Sequence, residues 1–171
     1  MDDPSSSNAN NVDLEQMLRL YSLPGHLVRR AQQITDALLY EECRQFDLTS
    51  VQYAVLIVIR SVPNIDATKL SSLVAYDKST LGAVLERLVS RGLISRSPSP
   101  HDRRSKFINL TPKGNELLED SAPSIMRVQE RILAPLTEQE RDVFMSLLKK
   151  LVNLNNEYSR SPLLFDPKDF E

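Results

Sequence analysis

The sequence predicts a mainly α-helical protein that carries one small antiparallel β-hairpin. Apolar residues recur every three to four positions over most of the chain, which is the period of an α-helix. This pattern is interrupted once, at residues 93–110, where two short runs of strand-forming residues flank a Pro/Ser/charged loop. With 171 residues, the chain has the length of one domain with helical extensions.

The two ends of the chain differ from the helical middle. Residues 1–11 are rich in Ser, Asn and Asp and almost free of apolar residues, so we expect them to be disordered. Residues 159–171 contain two prolines and no helical period, which predicts an irregular tail. Between these ends we expect a helical arm at residues 12–47, a compact unit at 48–111 and further helices at 112–158.

The first two predicted helices follow clear start signals. A long helix begins after Pro24, and a second begins at Thr49, where Gln52 completes the spacing of a capping box. The second helix is apolar on nearly all faces, which indicates that it is buried. The apolar face of the first helix consists of Leu27, Ala31, Ile34 and Leu38.

Two more helices and a hairpin complete the central unit. Asp66 and Asp77 can each cap a helix, and Gly92 stands where a glycine ends a helix in the left-handed conformation. Two short strands follow, at residues 93–96 and 106–110. This order of helices and then a hairpin with a basic tip is that of a winged helix-turn-helix. The core face of the helix after Asp77 consists of Leu81, Val84, Leu85 and Leu88.

Two helices are predicted after the hairpin. Thr111 followed by Pro112 is a helix start, and Thr137 with Glu140 is a second capping box. Pro123 lies between them, where it is expected to kink or break the helical pattern. The two arms together offer more apolar surface than a small core can bury, which favours a helical homodimer interface.

Charge is distributed unevenly along the chain. The net charge is −2, which argues against indiscriminate binding to nucleic acids. Residues 77–106 nevertheless contain seven basic and three acidic residues, so this segment carries +4 and the rest of the chain −6. A basic patch on an acidic body is the electrostatic footprint of a nucleic-acid-binding protein.

The exposed face of the helix after Asp77 suits a DNA groove. Its small residues allow a close approach to base edges, its basic residues reach phosphates, and its hydroxyls can form hydrogen bonds. The N-terminus also directs free N–H groups towards an anion. An ordinary amphipathic helix would look the same in isolation, and the basic hairpin downstream favours DNA. The candidate contacts are Lys78, Ser79, Thr80, Gly82, Ala83 and Arg87.

The hairpin tip carries two adjacent arginines, Arg103 and Arg104, and Lys106 follows them. Arginine is well suited to the negative potential of a minor groove. Asp102 can orient one of the two guanidinium groups. The alternative interpretation of the arginine pair is a solvated loop whose charges serve only solubility.

Four motifs stand in a recognisable order: DKST at residues 77–80, LVSRGLI at 88–94, DRR at 102–104 and LTPKG at 110–114. In these motifs and their spacing, the sequence resembles the MarR family of bacterial winged-helix transcription regulators. The resemblance implies a homodimer whose terminal helices form the dimer body. It also implies that the helix after Asp77 enters the major groove, that the hairpin arginines reach the minor groove, and that a small molecule controls DNA binding.

The predicted function is therefore sequence-specific regulation of transcription on double-stranded DNA, in the cytoplasm of a bacterium. A dimer of this kind should bind a pseudo-palindromic operator whose half-sites lie about 10 base pairs apart. Repression is favoured over activation, because repression requires only occupancy of a promoter. The sequence does not specify the bases that are read, the effector or the regulated genes.

Two candidate switches remain open at this stage. Tyr21, His26 and Arg30 combine an aromatic face, an imidazole and a cation, which suits an aromatic carboxylate, and the segment loosely resembles MarR members that control aromatic-acid breakdown. The alternative is that the arginine is solvated or ion-paired and the histidine is an ordinary interface residue. Thiol oxidation at Cys43 is the second candidate, although its place beside apolar residues on one helical face indicates a packing position.

Other classes of function find little support. The four glycines are isolated, so no phosphate-binding loop is present, and neither an enzyme nor a cofactor is expected. One cysteine and two histidines do not make a zinc site. A single cysteine fits a reducing compartment. The longest apolar run is too short to span a membrane. A winged helix that binds only protein is the remaining alternative, and the segregated charge argues against it.

Overall fold

The computed structural model describes residues 7–98 and 106–165, and it confirms the mainly α-helical fold with one two-stranded sheet. Single-turn 3₁₀ helices follow the second and the last α-helix, at Arg44–Phe46 and Asn156–Tyr158. The helices and strands are α1 (Ser7–Ser22), α2 (Pro24–Cys43), α3 (Ser50–Ser61), α4 (Ala67–Val74), α5 (Lys78–Ser90), β1 (Ile94–Pro98), β2 (Lys106–Leu110), α6 (Pro112–Leu133) and α7 (Glu138–Leu154).

Helix α1 begins at Ser7, so the structure describes residues 7–11 as helical where the sequence predicts disorder. The part of that expectation that concerns residues 1–6 lies outside the described residues. Within α1, Glu15 and Arg19 form an ion pair one turn apart, with 2.7 Å between Oε1 and Nη2. Once a helix has nucleated, each further residue adds a hydrogen bond, so the helix can extend into a polar segment.

Side-chain caps begin five of the helices, as the sequence predicts. Thr49 and Gln52 form a reciprocal capping box at α3, with N···O distances of 3.2 and 3.1 Å. Because each cap satisfies a backbone donor that has no partner inside the helix, these local signals determine where the helices begin. The other capping residues are Asp66, Asp77, Thr111 and Thr137.

Gly92 lies just past the end of α5, and its φ of 70° is in the left-handed region. The N–H groups of Gly92 and Leu93 donate to the carbonyls of Val89 and Leu88, at 2.9 and 3.0 Å. This pair of hydrogen bonds is a Schellman motif, which glycine favours because it carries no Cβ. The motif turns the chain directly from α5 into the hairpin, as the sequence predicts.

Strands β1 and β2 pair in antiparallel register, with Ile94 opposite Leu110. The N–H of Ile108 also donates to the carbonyl of Ile65 at 2.8 Å, which ties the sheet to the connection between α3 and α4. The described residues of 48–111, here called the central lobe, thus pack around an apolar core, to which Leu118 of α6 also contributes. Its buried residues include Val55, Leu56, Ile59, Leu70, Leu81, Leu85, Leu88 and Ile108.

Helices α2 and α6 pack against each other around a second, smaller core. Helix α6 runs without interruption through Pro123, so the expectation of a break there is wrong. Proline removes one hydrogen-bond donor, but contacts to α2 hold the second half of α6 in place: Glu42 accepts from Arg127 and Arg131 at 3.0 and 2.8 Å. The buried residues of this core are Leu39, Cys43, Ile125 and Val128.

After α7 the chain folds back towards the central lobe. The side-chain amide of Asn156 accepts from the N–H of Leu163 at 2.8 Å and donates to its carbonyl at 3.0 Å. The N–H of Leu164 then donates to the carbonyl of Ser72 in α4, at 3.0 Å. Residues 159–165 contain neither helix nor strand, and residues 166–171 lie outside the described chain.

Candidate nucleic-acid interface

The N-terminus of α5 is organised by Asp77. Its carboxylate accepts from the N–H groups of Ser79 and Thr80 at 3.0 and 2.9 Å, and from their hydroxyls at 2.6 and 2.8 Å. These hydrogen bonds hold the pKa of Asp77 well below its usual value, and the hydroxyl of Ser79 contributes the most. Because both hydroxyls donate within the protein, Ser79 and Thr80 retain only acceptor capacity towards an external ligand.

A cleft of about 640 Å³ lies between α5, the N-terminus of α4 and the hairpin. Three basic side chains line it from three elements: Lys78 of α5, Arg96 of β1 and Lys106 of β2. Gly82 also lines the cleft, and a Cβ placed there would meet no atom within 4 Å, so the helix surface is open at this point. Arg96 was not among the predicted contacts. Its exposed place on a strand that leads to the basic tip is the signal that identifies it.

Arg87 lies on the opposite flank of α5. Its Nη2 atom is 3.2 Å from Oδ2 of Asp47, the residue that joins the first 3₁₀ helix to α3. Ala83 is exposed on the face between the two flanks. The predicted contacts on α5 therefore do not form one cluster: Lys78 and Gly82 face the hairpin, and Arg87 faces the start of α3.

The predicted contacts at the hairpin tip, Arg103 and Arg104, lie outside the described residues, as does Asp102. Their roles stay predictions. The described strands end at Pro98 and Lys106, which are opposite each other in the sheet, and Lys106 lines the cleft.

The candidate effector residues lie where α1 meets α2. The rings of Tyr21 and His26 meet edge to face, with 5.5 Å between centroids and 64° between planes. Arg30 is exposed one helical turn after His26, on the same face of α2. The neighbouring Arg29 donates to Oε1 of Gln33 at 3.1 Å. The structure thus brings Tyr21 and His26 into contact and places Arg30 on their side of the helix.

Cys43 is 1% exposed in the core between α2 and α6. Burial, and then the negative charge of Glu42, raises the pKa of its thiol. A redox-sensing cysteine requires exposure and a lowered pKa, so both observations argue against a sensor role for Cys43.

Within residues 7–98 and 106–165, no three His, Cys, Asp or Glu side chains are grouped as metal ligands would be. In the same part of the chain, no helix combines the length and the apolar character that crossing a membrane requires.

The fold and the basic face around α5 define a winged-helix regulator of transcription. The model of the MarR family matches residues 48–106. The HTH-type transcriptional repressor NicR of Pseudomonas putida is 30% identical over 150 residues, which is 88% of this chain and 92% of NicR. The chain therefore belongs to the MarR family. It is a DNA-binding transcriptional regulator of the MarR type, and such relatives are regulators rather than enzymes.

Solved structures of MarR-type regulators share the fold. The PcaV transcriptional regulator from Streptomyces coelicolor, in complex with its natural ligand, has a TM-score of 0.71 at 33% identity, over 78% of this chain and 94% of PcaV. Bordetella bronchiseptica BpsR, whose DNA binding is regulated by 6-hydroxynicotinic acid, has a TM-score of 0.69 at 32% identity. The match covers 74% of this chain and 96% of BpsR. A mutant MarR from Escherichia coli complexed with operator DNA has a TM-score of 0.70 at 31% identity. The match covers 75% of this chain and 92% of that MarR chain.

Proposed function

We propose that this regulator is a repressor that binds a pseudo-palindromic operator as a homodimer and is released by an aromatic acid. The observation that carries the proposal is the convergence of Lys78, Arg96 and Lys106 on the cleft beside the N-terminus of α5. All three side chains are exposed, so the fold itself does not require their charge. Phosphate groups are the ligand that such a cluster attracts, and they supply most of the affinity of a DNA-binding protein.

In the proposed complex, α5 lies in the major groove and the hairpin reaches the adjacent minor groove. The open space at Gly82 lets base edges approach, and the hydroxyl oxygens near the helix start accept hydrogen bonds from base amino groups. The proposed contacts on α5 are Lys78, Ser79, Thr80, Gly82, Ala83 and Arg87. Those on the hairpin are Arg103, Arg104 and Lys106, with Asp102 orienting an arginine.

The proposed homodimer forms through the arms, residues 12–47 and 112–158, and leaves the central lobe free for DNA. Within the described part of the chain, α7 buries no side chain. Leu147 and Leu151 are 60% and 52% exposed on one face of this helix, and α1 carries similar leucines. A two-fold axis lets such faces cover each other, and it presents two lobes to half-sites about 10 base pairs apart.

Repression is the proposed regulatory outcome. It requires only that the dimer occupy a promoter, and NicR is named as a repressor. Activation would need a further surface that contacts RNA polymerase, and no motif of the sequence points to such a surface.

An aromatic acid is the proposed effector. Tyr21 and His26 already form an aromatic pair, and Arg30 on the same side can grip a carboxylate with two parallel hydrogen bonds. The regulation of BpsR by 6-hydroxynicotinic acid supports this class of ligand. The two alternatives are weaker: the burial of Cys43 disfavours redox sensing, and a module that binds only protein has no need of the basic cleft.

The DNA contact is tested by fluorescence anisotropy with the promoter fragment upstream of the protein's own gene. Lys106→Gln and Lys149→Gln remove the same charge, but Lys149 does not line the cleft and lies exposed on α7, on the side of the helix away from Leu147 and Leu151. We expect Lys106→Gln to weaken binding about fivefold and to lower the salt slope by about one, while Lys149→Gln leaves both unchanged. Equal affinities and equal salt slopes for the two variants would refute the proposed interface.

The effector site is tested with a pair of neighbouring arginines. We expect 6-hydroxynicotinic acid or a related aromatic acid to release the promoter fragment. Arg30→Gln should raise the acid concentration needed for half-release by about tenfold, and Arg29→Gln should leave it unchanged. If Arg30→Gln responds like the wild type, the pocket assignment is wrong, while the DNA-binding proposal stands.

A further inference from the structure

Asp47 lies at a junction that faces the DNA-binding helix. Its backbone is left-handed, with φ 46° and ψ 52°, between the first 3₁₀ helix and α3. Aspartate tolerates this conformation better than most residues. Its two carboxylate oxygens lie 3.4 and 3.2 Å from Nη2 of Arg87. Forty positions separate the two residues, so this contact depends on the tertiary fold.

Arg91 fixes the junction relative to α5. Its guanidinium donates to the backbone carbonyls of Phe46 and Asp47, and its Nη1 atom lies 3.7 Å from the Asp47 carboxylate. The side chain of Arg91 is only 23% exposed, so these contacts are partly shielded from water. Because Arg87 precedes Arg91 by one helical turn, both arginines face the same junction. The position of the Asp47 carboxylate beside Arg87 is therefore set by a rigid contact.

The pair of Asp47 and Arg87 contributes little to stability by itself. The two side chains are 66% and 55% exposed, and ion pairs with this exposure are weak. The pair has another physical effect. It holds a long, flexible guanidinium in one orientation, so that less side-chain freedom is lost when Arg87 binds a ligand.

The Asp47 carboxylate also repels phosphate. A negative charge on the flank of a DNA-binding helix weakens attraction to every DNA backbone, whatever its sequence. An arginine held in one orientation gains most from a phosphate in the matching position, which only a correctly docked operator supplies. The repulsion weakens binding to the operator and to other DNA alike, so only the orientation of Arg87 changes the ratio of the two affinities.

We propose that Asp47 is a specificity-determining positioning residue: it orients Arg87 so that this arginine favours the operator backbone over other DNA. The proposal rests on the proposed function, because it requires that α5 and Arg87 contact DNA. It deepens that function by assigning a role to a residue outside the recognition helix and the hairpin.

The measured quantity is the ratio of the affinity for the promoter fragment upstream of the protein's own gene, here taken as the operator, to the affinity for random DNA of equal length. We expect Asp47→Asn to raise binding to random DNA, to leave operator binding equal or weaker, and to lower the ratio about fivefold. Asparagine tolerates the left-handed backbone, so this variant retains the local fold. Asp66→Asn is the matched control, because it removes the same charge beside the cleft and keeps a helix cap. It should raise both affinities together and leave the ratio unchanged.

Two further variants separate position from charge. Asp47→Glu keeps the charge but moves the carboxylate, so we expect it to lower the ratio as Asp47→Asn does. In an Arg87→Met background, Asp47→Asn should have no further effect on the ratio. A wild-type ratio in Asp47→Glu, or an undiminished effect in the Arg87→Met background, would overturn the proposal. Failure of the wild type to bind its promoter at all would instead reject the proposed function.

Discussion

Two glycines of this chain should respond in opposite ways to the same substitution. Gly114 lies in the first turn of α6, where Thr111 caps the helix and donates its own N–H to the carbonyl of Leu93 at 3.0 Å. A Cβ at Gly114 would lie 2.2 Å from that carbonyl oxygen and 2.9 Å from Cδ1 of Leu110. Gly114 is thus the point where α6 touches the base of the hairpin.

The magnitude follows from this geometry. Ordinary contact begins at about 3.4 Å, so the oxygen and the new Cβ must separate by more than an ångström. The obstacle is a backbone atom held by hydrogen bonds, which cannot rotate away as a side chain does. Overpacking of this kind costs about 1–3 kcal/mol and occasionally more. We therefore expect Gly114→Ala to lose about 3 kcal/mol and to lower Tm by about 6–12 °C.

Gly82→Ala provides the contrast. Nothing lies within 4 Å of a Cβ at this helical position, and alanine is favoured over glycine inside a helix by about 1 kcal/mol. Urea unfolding followed by circular dichroism, at one fixed protomer concentration, measures both variants. A Gly114→Ala protein as stable as the wild type, or a Gly82→Ala protein less stable than Gly114→Ala, would refute the reasoning.

Three other predictions concern single sites. Since folding lowers the pKa of Asp77, its carboxylate stabilises the protein above about pH 4 and this contribution fades at lower pH, so Asp77→Asn should flatten the acid-unfolding curve. Asn156→Ala should release the tail and accelerate hydrogen exchange at Leu164 about tenfold, whereas Asn155→Ala should not. Cys43 should react with a thiol reagent only after unfolding, and labelling of the native protein at the unfolded rate would contradict its burial.

The parts of the fold that the sequence predicts are those with local causes. A capping box such as Thr49 with Gln52 needs only a spacing of three residues, and Gly92 needs only its own lack of a Cβ. The continuity of α6 through Pro123 has a different origin. The ion pairs of Glu42 with Arg127 and Arg131 join residues 85 and 89 positions apart, and no sequence period reveals such contacts.

In the candidate site, too, the sequence predicts the features with local causes and not those that depend on long-range contacts. Lys78 and Gly82 could be identified because the helical period places them outside the core face of α5. The contact of Arg87 with Asp47 could not, since aspartate after a short helix also fits an ordinary turn. Arg96 was missed because a strand of five residues carries a weak period signal.

The acidic groups near α5 explain how a chain with a net charge of −2 can present a surface for DNA. Asp77 is saturated by four donors at the start of α5, so its charge meets the positive end of the helix dipole instead of an approaching phosphate. Asp66 caps α4 with fewer donors, the backbone N–H groups of Thr68 and Lys69. Asp47 differs, because its partner is a side chain that is itself a proposed DNA contact. Among these three aspartates, two cap helix ends, and the third has the proposed role in selecting DNA, which the affinity ratio measured in Asp47→Asn and Asp66→Asn tests.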